Sequence, residues 1–209
     1  VGFLEEISAE IPDQLKTTPF VHLHNNSQFS VLQSTSRIVN LVNKAGEFKM
    51  PAIAITDRAN MMGCFHFIKA INNYNNNISK DSELTKIKPI LGCELNVCND
   101  HLDKSHRDDG YRIIFLAKNK NGYQNLSKMC SLGYTKGFYY VPRIDKNIVE
   151  KFKEDLIVLS GNMYGEIAGK ILNVGENQAE EALLWWKSLF KQDFYLEMMR
   201  HGQEDEDRA

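Results

Sequence analysis

The sequence is poor in several features that would each define a class of protein. Only four cysteines occur in 209 residues, at positions 64, 93, 98 and 130, and none forms a CxxC pair. That set excludes a disulfide scaffold and points to reduced thiols in a cytoplasmic protein. No apolar run approaches the ~18 residues of a membrane span. The opening stretch VGFLEEISAEIPDQLKTTPF is acidic and mixed, without the charged-then-apolar layout of a secretory signal. It also lacks a starting Met, as expected of a fragment of a longer chain. A basic excess is missing: 25 basic residues against 27 acidic give a net charge of −2, so the totals do not predict binding of bare nucleic acid through its phosphates. GxxxxGK[ST], GxGxxG and GxSxG are all absent, which removes support for a P-loop, a Rossmann site or a nucleophile elbow. There is no internal repeat.

What the chain does have is a 43% apolar fraction, enough for the core of one domain, distributed in short runs that alternate with helical patterns. FVHLH (20–24), AIAIT (52–56), PILGCELNV (89–97), RIIFLA (112–117), DLIVLS (155–160) and DFYLEMM (193–199) read as strands. Residues 34–48, 63–75, the stretch after 117 and residues 177–190 read as helices, the first capped by Ser34 or Ser36. In the last helix Ala179, Ala182, Leu183, Trp186, Leu189 and Phe190 fall on one stripe, which buries Trp186 and leaves Trp185 partly exposed. Strands alternating with helices predict parallel β/α units, and the unbroken apolar runs AIAIT and LIVLS predict strands covered on both faces. Six strands are close to a barrel but short of closing one. Residues 72–88 and 99–110 read as solvated loops.

In a β/α barrel, functional side chains gather at the C-terminal strand ends. Those ends carry His22, His24 and Asn26, then Thr56, Asp57 and Arg58, then Glu94, then Asn162. On a strand, His22, His24 and Asn26 project to one face, so they are either part of a metal site or ordinary polar groups on a strand rim. Only the histidines, Asp57 and Glu94 are of ligand type. A second group, Cys93, Cys98, His101 and His106, has a zinc-like composition. Its spacing does not fit a finger, and Cys93 and Cys98 face opposite ways on one strand.

The segments FVHLHNNSQFSVLQS, MPAIAITDRANMMGCFHF, IKPILGCELNV, FLAKNKNGYQNLSKMCSLGYTKGFYYVPRID, LIVLSGNMYGEI and FYLEMMRHGQ, in that order, resemble the PHP (polymerase and histidinol phosphatase) domain. More narrowly, they are similar to the form found at the N-terminus of bacterial replicative DNA polymerase III alpha subunits, with AKNxxGYxNL and GFYYxPR the most specific stretches. The resemblance implies a distorted parallel β/α barrel, TIM-barrel-like and seven-stranded, over 19–209, after an N-terminal extension or linker at 1–18. It further implies that the family domain continues past residue 209.

Carried over position by position, the family's metal-binding pattern falls on His24, Asn26, Gln33, Arg58, Glu94, Arg112 and Asn162, and only His24 and Glu94 are good ligands. His22 precedes the pattern. The implied picture is a vestigial metal site with no metal and no catalytic residue in this fragment, in which Arg58 and Arg112 replace the lost cations opposite Glu94 or Asp57. The parent enzyme implied is a DNA-directed DNA polymerase, a nucleotidyltransferase acting in DNA replication, with Mg in a separate polymerase domain. Its partners would be the remainder of the polymerase chain, a proofreading exonuclease subunit, and DNA through the parent enzyme, with no membrane. The rival reading is a metal-dependent 3′–5′ exonuclease or phosphoesterase working with a reduced ligand set. A stand-alone histidinol-phosphatase-like enzyme is disfavoured by GFYYVPR and by the missing ligands.

Overall fold

The structure, a computed structural model, describes residues 18–78, 84–199 and 201–208. The extension at 1–18 therefore lies almost wholly outside the described residues, as does the middle of the 72–88 segment.

Strands β1 (Ala52–Ile55), β2 (Lys88–Cys98), β3 (Tyr111–Ala117), β4 (Arg143–Asp145), β5 (Leu156–Leu159) and β6 (Phe194–Tyr195) form one open sheet in the order β1-β2-β3-β5-β6, with β4 also on β2. Among the described residues seven α-helices accompany it: α1 (Ile38–Glu47), α2 (Cys64–Asn76), α3 (Lys120–Thr135), α4 (Lys146–Lys151), α5 (Glu166–Asn173), α6 (Glu176–Phe190) and α7 (Glu204–Arg208).

The β/α architecture matches expectation, but the pairing is mixed. Three pairs are parallel, β1–β2, β2–β4 and β5–β6, whereas β2–β3 and β3–β5 are antiparallel. The cause is the 99–110 loop. It contains no helix, so β3 returns beside β2 as a hairpin partner and not through a crossover.

Other boundaries also move. FVHLH is extended but is not a strand of the sheet. It lies beside β1 through two backbone hydrogen bonds, Ala54 N–H to His22 O (2.9 Å) and Thr56 N–H to Asn25 O (2.8 Å). The last strand shrinks to Phe194–Tyr195. Neither Ser34 nor Ser36 caps α1, which begins after Arg37 with no side-chain cap; the Ser34 hydroxyl donates to Asn26 O instead. By contrast, the Asn119 side chain does cap α3, accepting from the N–H groups of Asn121 and Gly122.

β2 organises the molecule. Its odd-numbered side chains, Cys93, Leu95 and Val97, enter the main core with Ile113, Phe115, Leu126, Met129, Val149 and Trp186. A second core joins α1, α2 and β1 through Val42, Ile55, Phe67 and Ile71. The even-numbered face, with Glu94 and Asn96, turns the other way. Trp186 is fully buried, and its indole N–H donates to Glu166 Oε2 at 2.7 Å. Glu166 Oε1 also accepts from Lys146 and Lys170, at 2.9 and 2.8 Å. Burial raises the Glu166 pKa, but the two ammonium groups and the indole outweigh it and hold the carboxyl below its usual range.

The GFYYVPR stretch leads into a fully buried arginine. Arg143 donates to Gly137 O (3.1 Å), Asp108 O (2.9 Å) and Asp103 O (2.9 Å), and more weakly to His101 O (3.4 Å). The 99–110 loop is therefore solvated on one side and anchored from within on the other.

Candidate functional site

The site forms where β2 is flanked on both edges. Along one edge the chain leaves β1 and places Arg58 in a parallel bridge with Glu94. Ala59 N–H donates to Glu94 O at 2.7 Å, and Ala59 takes a left-handed φ of 55°, which turns the chain away directly after Arg58. Along the other edge β3 sets Arg112 opposite Asn96, two residues from Glu94 and on the same face.

Both guanidinium groups approach one carboxylate oxygen. Arg58 Nε lies 3.5 Å and Arg112 Nε 3.8 Å from Glu94 Oε1. These are ion-pair distances; Glu94 Oε1 accepts no hydrogen bond among the described residues. The hydrogen bond to Glu94 comes from His24, whose Nε2 lies 3.0 Å from Oε2. The other ring nitrogen, Nδ1, lies 2.7 Å from Glu197 Oε1. Burial, the largest single influence, lowers the His24 pKa, but the two carboxylates together outweigh it and raise the value to about 9. At neutral pH His24 is therefore an imidazolium clamped between two acids. Burial and the nearby Arg112 pull the Arg58 pKa below its usual value.

Asp57 stands apart from the charge-replacement role expected of it. Its carboxylate accepts Ser27 N–H (2.6 Å), Ser27 Oγ–H (2.7 Å) and Ser30 Oγ–H (2.7 Å), and so ties the 27–30 turn to the end of β1. Gly63 is confined by the same group, since a Cβ there would come within 2.7 Å of Asp57 Oδ2. Thr56 also serves the backbone, with its hydroxyl oxygen accepting from Asn25 N–H at 2.8 Å.

The remaining positions scatter. Gln33 is exposed, and His22 is exposed beside the Phe20 ring. Asn26 Oδ1 is buried without a partner among the described residues. Asn162 accepts Tyr164 N–H and contacts Met199 Sδ. The zinc-like group does not converge. Cys93 Sγ meets Cys130 Sγ at 3.6 Å, Cys98 Sγ donates to Ile144 O, His101 pairs with Asp145 at 2.6 Å, and His106 is exposed. Burial raises the thiols of Cys64 and Cys98 to about 12, which makes them inert.

Glu197 is the member that sequence reasoning missed. It reads as one residue of an apolar strand, and only the fold brings it to His24. Below the pair, a cleft of about 1010 Å³ lies between the 20–24 segment and β6, with Ile90, Leu116, Ile157 and Leu159 among its walls.

Residues 22–201 match the PHP domain family. The DNA polymerase III subunit alpha of Borreliella burgdorferi is 38% identical over 192 residues, covering 90% of this chain and 16% of that protein. The same subunit of Chlamydia trachomatis is 37% identical over 90% of this chain and 14% of its own length. In Campylobacter jejuni the figures are 34%, 90% and 16%. The chain thus spans about a sixth of the length of these relatives. Among solved structures, a putative metal-dependent phosphoesterase from Bifidobacterium adolescentis matches with a TM-score of 0.51 at 13% identity, covering 90% of this chain and 79% of that one, a likeness of fold. The chain belongs to the PHP domain family.

Proposed function

We propose that this chain is the N-terminal PHP domain of a replicative DNA polymerase III alpha subunit, that its metal centre has been replaced by an ion-pair network, and that it has a structural and interaction role in DNA replication. The observation that carries the reading is the convergence of Arg58, Arg112 and His24 on Glu94. A multinuclear centre needs several neutral or anionic ligands around each ion. Arginine stays protonated and cannot ligate, and two guanidinium groups beside Glu94 repel a divalent cation. Both nitrogens of His24 are engaged by carboxylates. The residues present do not fit a di- or trinuclear site. On this reading the fragment alone is not catalytic, nucleotide transfer and its Mg belong to the rest of a cytoplasmic polymerase chain, and a proofreading exonuclease subunit is the expected partner.

A second reading draws on Glu197. With His24 and Glu94 it supplies three groups of ligand type, a reduced set for a metal-dependent 3′–5′ exonuclease or phosphoesterase. Elemental analysis of the purified chain, paired with hydrolysis of a single-stranded DNA 3′ end in added Mn or Zn, separates the two. The structural reading expects no stoichiometric metal and no hydrolysis. Two or more bound ions per chain, or hydrolysis that His24→Ala abolishes, would overturn it.

A further inference from the structure

Cys93 on β2 and Cys130 on α3 meet inside the main core with their sulfurs 3.6 Å apart. The Cys130 thiol donates to Cys93 Sγ. The Cys93 thiol in turn faces Asp57 O at 3.2 Å and Asn60 O at 3.4 Å. The other two cysteines stay outside this contact. Cys98 donates to Ile144 O, and Cys64 makes no sulfur–sulfur contact among the described residues.

The two thiols are unequal in access. Cys93 is fully buried, whereas Cys130 keeps 9% exposure, so a small oxidant reaches Cys130 first. Its neighbour already lies in contact, which is the arrangement of a reacting thiol beside a resolving one. A disulfide holds its sulfurs at about 2.05 Å, so the pair must close by roughly 1.5 Å. The surroundings can follow that movement. Met129 shares the core and Met61 packs against it, and unbranched thioether side chains refill small gaps. The contact also adjoins the charged site. Asp57 and Asn60 flank the Arg58–Ala59 step, and Glu94 follows Cys93 on β2. Asp57 O accepts Glu94 N–H at 3.2 Å as well, so the Cys93 thiol sits at the junction of that turn with β2.

We infer that Cys93 and Cys130 form a reversible internal disulfide under peroxide, a redox switch that cross-links α3 to β2 beneath the turn carrying Arg58. The Cys130 sulfur attacks one peroxide oxygen. An S–O bond forms, the O–O bond breaks, and the departing hydroxide takes the thiol proton and leaves as water. The Cys93 sulfur then attacks the Cys130 sulfur. The S–S bond forms, the S–O bond breaks, and the Cys93 proton leaves with the departing oxygen as a second water. The two sulfurs lose two electrons between them and the peroxide gains both. Oxidation removes the donor that Cys93 offers to Asp57 O and Asn60 O, so the turn carrying Arg58 reports the redox state of the core. In reducing compartments such bonds are transient and sense oxidants, and are not scaffolds.

The test is treatment of the purified, folded chain with hydrogen peroxide in EDTA, followed by alkylation and peptide mass mapping. The four free thiols should fall to two, with Cys93 and Cys130 joined, and dithiothreitol should restore all four. The amide NMR signals of Ala59 and Asn60 should move on oxidation and return on reduction. The urea midpoint should rise, because the bond closes a loop between residues 37 apart in the unfolded chain. Cys64→Ser should oxidise as the parent does. Cys130→Ala should keep its remaining thiols reduced and show no movement at Asn60. Circular dichroism checks that this variant folds; should it not, the mapping of the parent chain decides alone. No cross-link in the folded chain, a cross-link to Cys64 or Cys98, or sulfinic acid at Cys130 with Cys93 still reduced overturns the inference. A cross-link that leaves the Ala59 and Asn60 signals in place overturns the coupling to the turn.

Discussion

His24 Nδ1 and Glu197 Oε1 stand 2.7 Å apart although 173 residues separate them in the chain. The contact crosses the cleft between the two open margins of the sheet, from the segment beside β1 to the chain just past β6. It is the charged link that holds those margins together, and its strength depends on the His24 proton.

That dependence fixes a pH profile. The folded pKa of His24, about 9, lies above its ordinary value of 6.5. A group raised on folding contributes in full below the unfolded pKa and loses its contribution as pH rises through the folded one. Stability should therefore fall between about pH 6.5 and 9, by about 3 kcal/mol at ~1.4 kcal/mol per unit. Urea melts across this range measure it. His24→Gln should be less stable at pH 6 and nearly flat, and an unchanged slope in that variant would show that the proton is held elsewhere.

The Arg58 pairing makes a smaller prediction than a buried carboxylate beside one guanidinium would suggest. Arg58→Ala leaves Glu94 facing both His24 and Arg112, and it removes the repulsion between the two guanidinium groups. The expected cost is about 1 kcal/mol, not the 3–5 kcal/mol of a stranded buried charge. Arg58→His should recruit no stoichiometric Zn or Mn, because Arg112 and the His24 clamp remain. Denaturant melts and elemental analysis of the two variants give the answer.

Asp57 should matter more to stability than Arg58. Asp57→Ala strands three donors at Ser27 and Ser30 and should cost about 3 kcal/mol. Amide exchange at Ser27 should accelerate in that variant, while exchange within α6 should not change beyond the global loss.

At the far side of the core, Trp186→Ala should cost about 3–5 kcal/mol and Trp185→Ala clearly less, since only the former is fully buried. Trp186→Phe separates volume from hydrogen bonding. It keeps most of the aromatic contact but removes the indole donor to Glu166, for an expected loss of about 1–3 kcal/mol. Equal melting midpoints for the two alanine variants would place the helix stripe on the wrong side.

Periodicity and residue type made much of this legible. The stripe from Ala179 to Phe190, the buried AIAIT and LIVLS strands, and Arg58 beside Glu94 all follow from local pattern or motif register. What escaped were features that only distant residues create. Glu197 has no signal within FYLEMM, and Arg143 gave none because its acceptors are carbonyls from two other stretches. β4 spans three residues, too few for a period to be read. The antiparallel β2–β3 pair was readable in principle. A helix-free 99–110 loop cannot make a parallel crossover, so reading that stretch as loop already implied a hairpin.

The alternation along β2 also limits how this domain can change length. Cys93 belongs to the core and Glu94 to the charged face, so one residue inserted between Lys88 and Cys93 would exchange them, sending a carboxylate into the apolar interior and a thiol toward the arginines. Two residues would restore the faces but carry Glu94 past both guanidinium groups. Point substitutions can remodel this end of the sheet one position at a time, but insertions and deletions in that stretch of β2 should be absent from any functional library of variants.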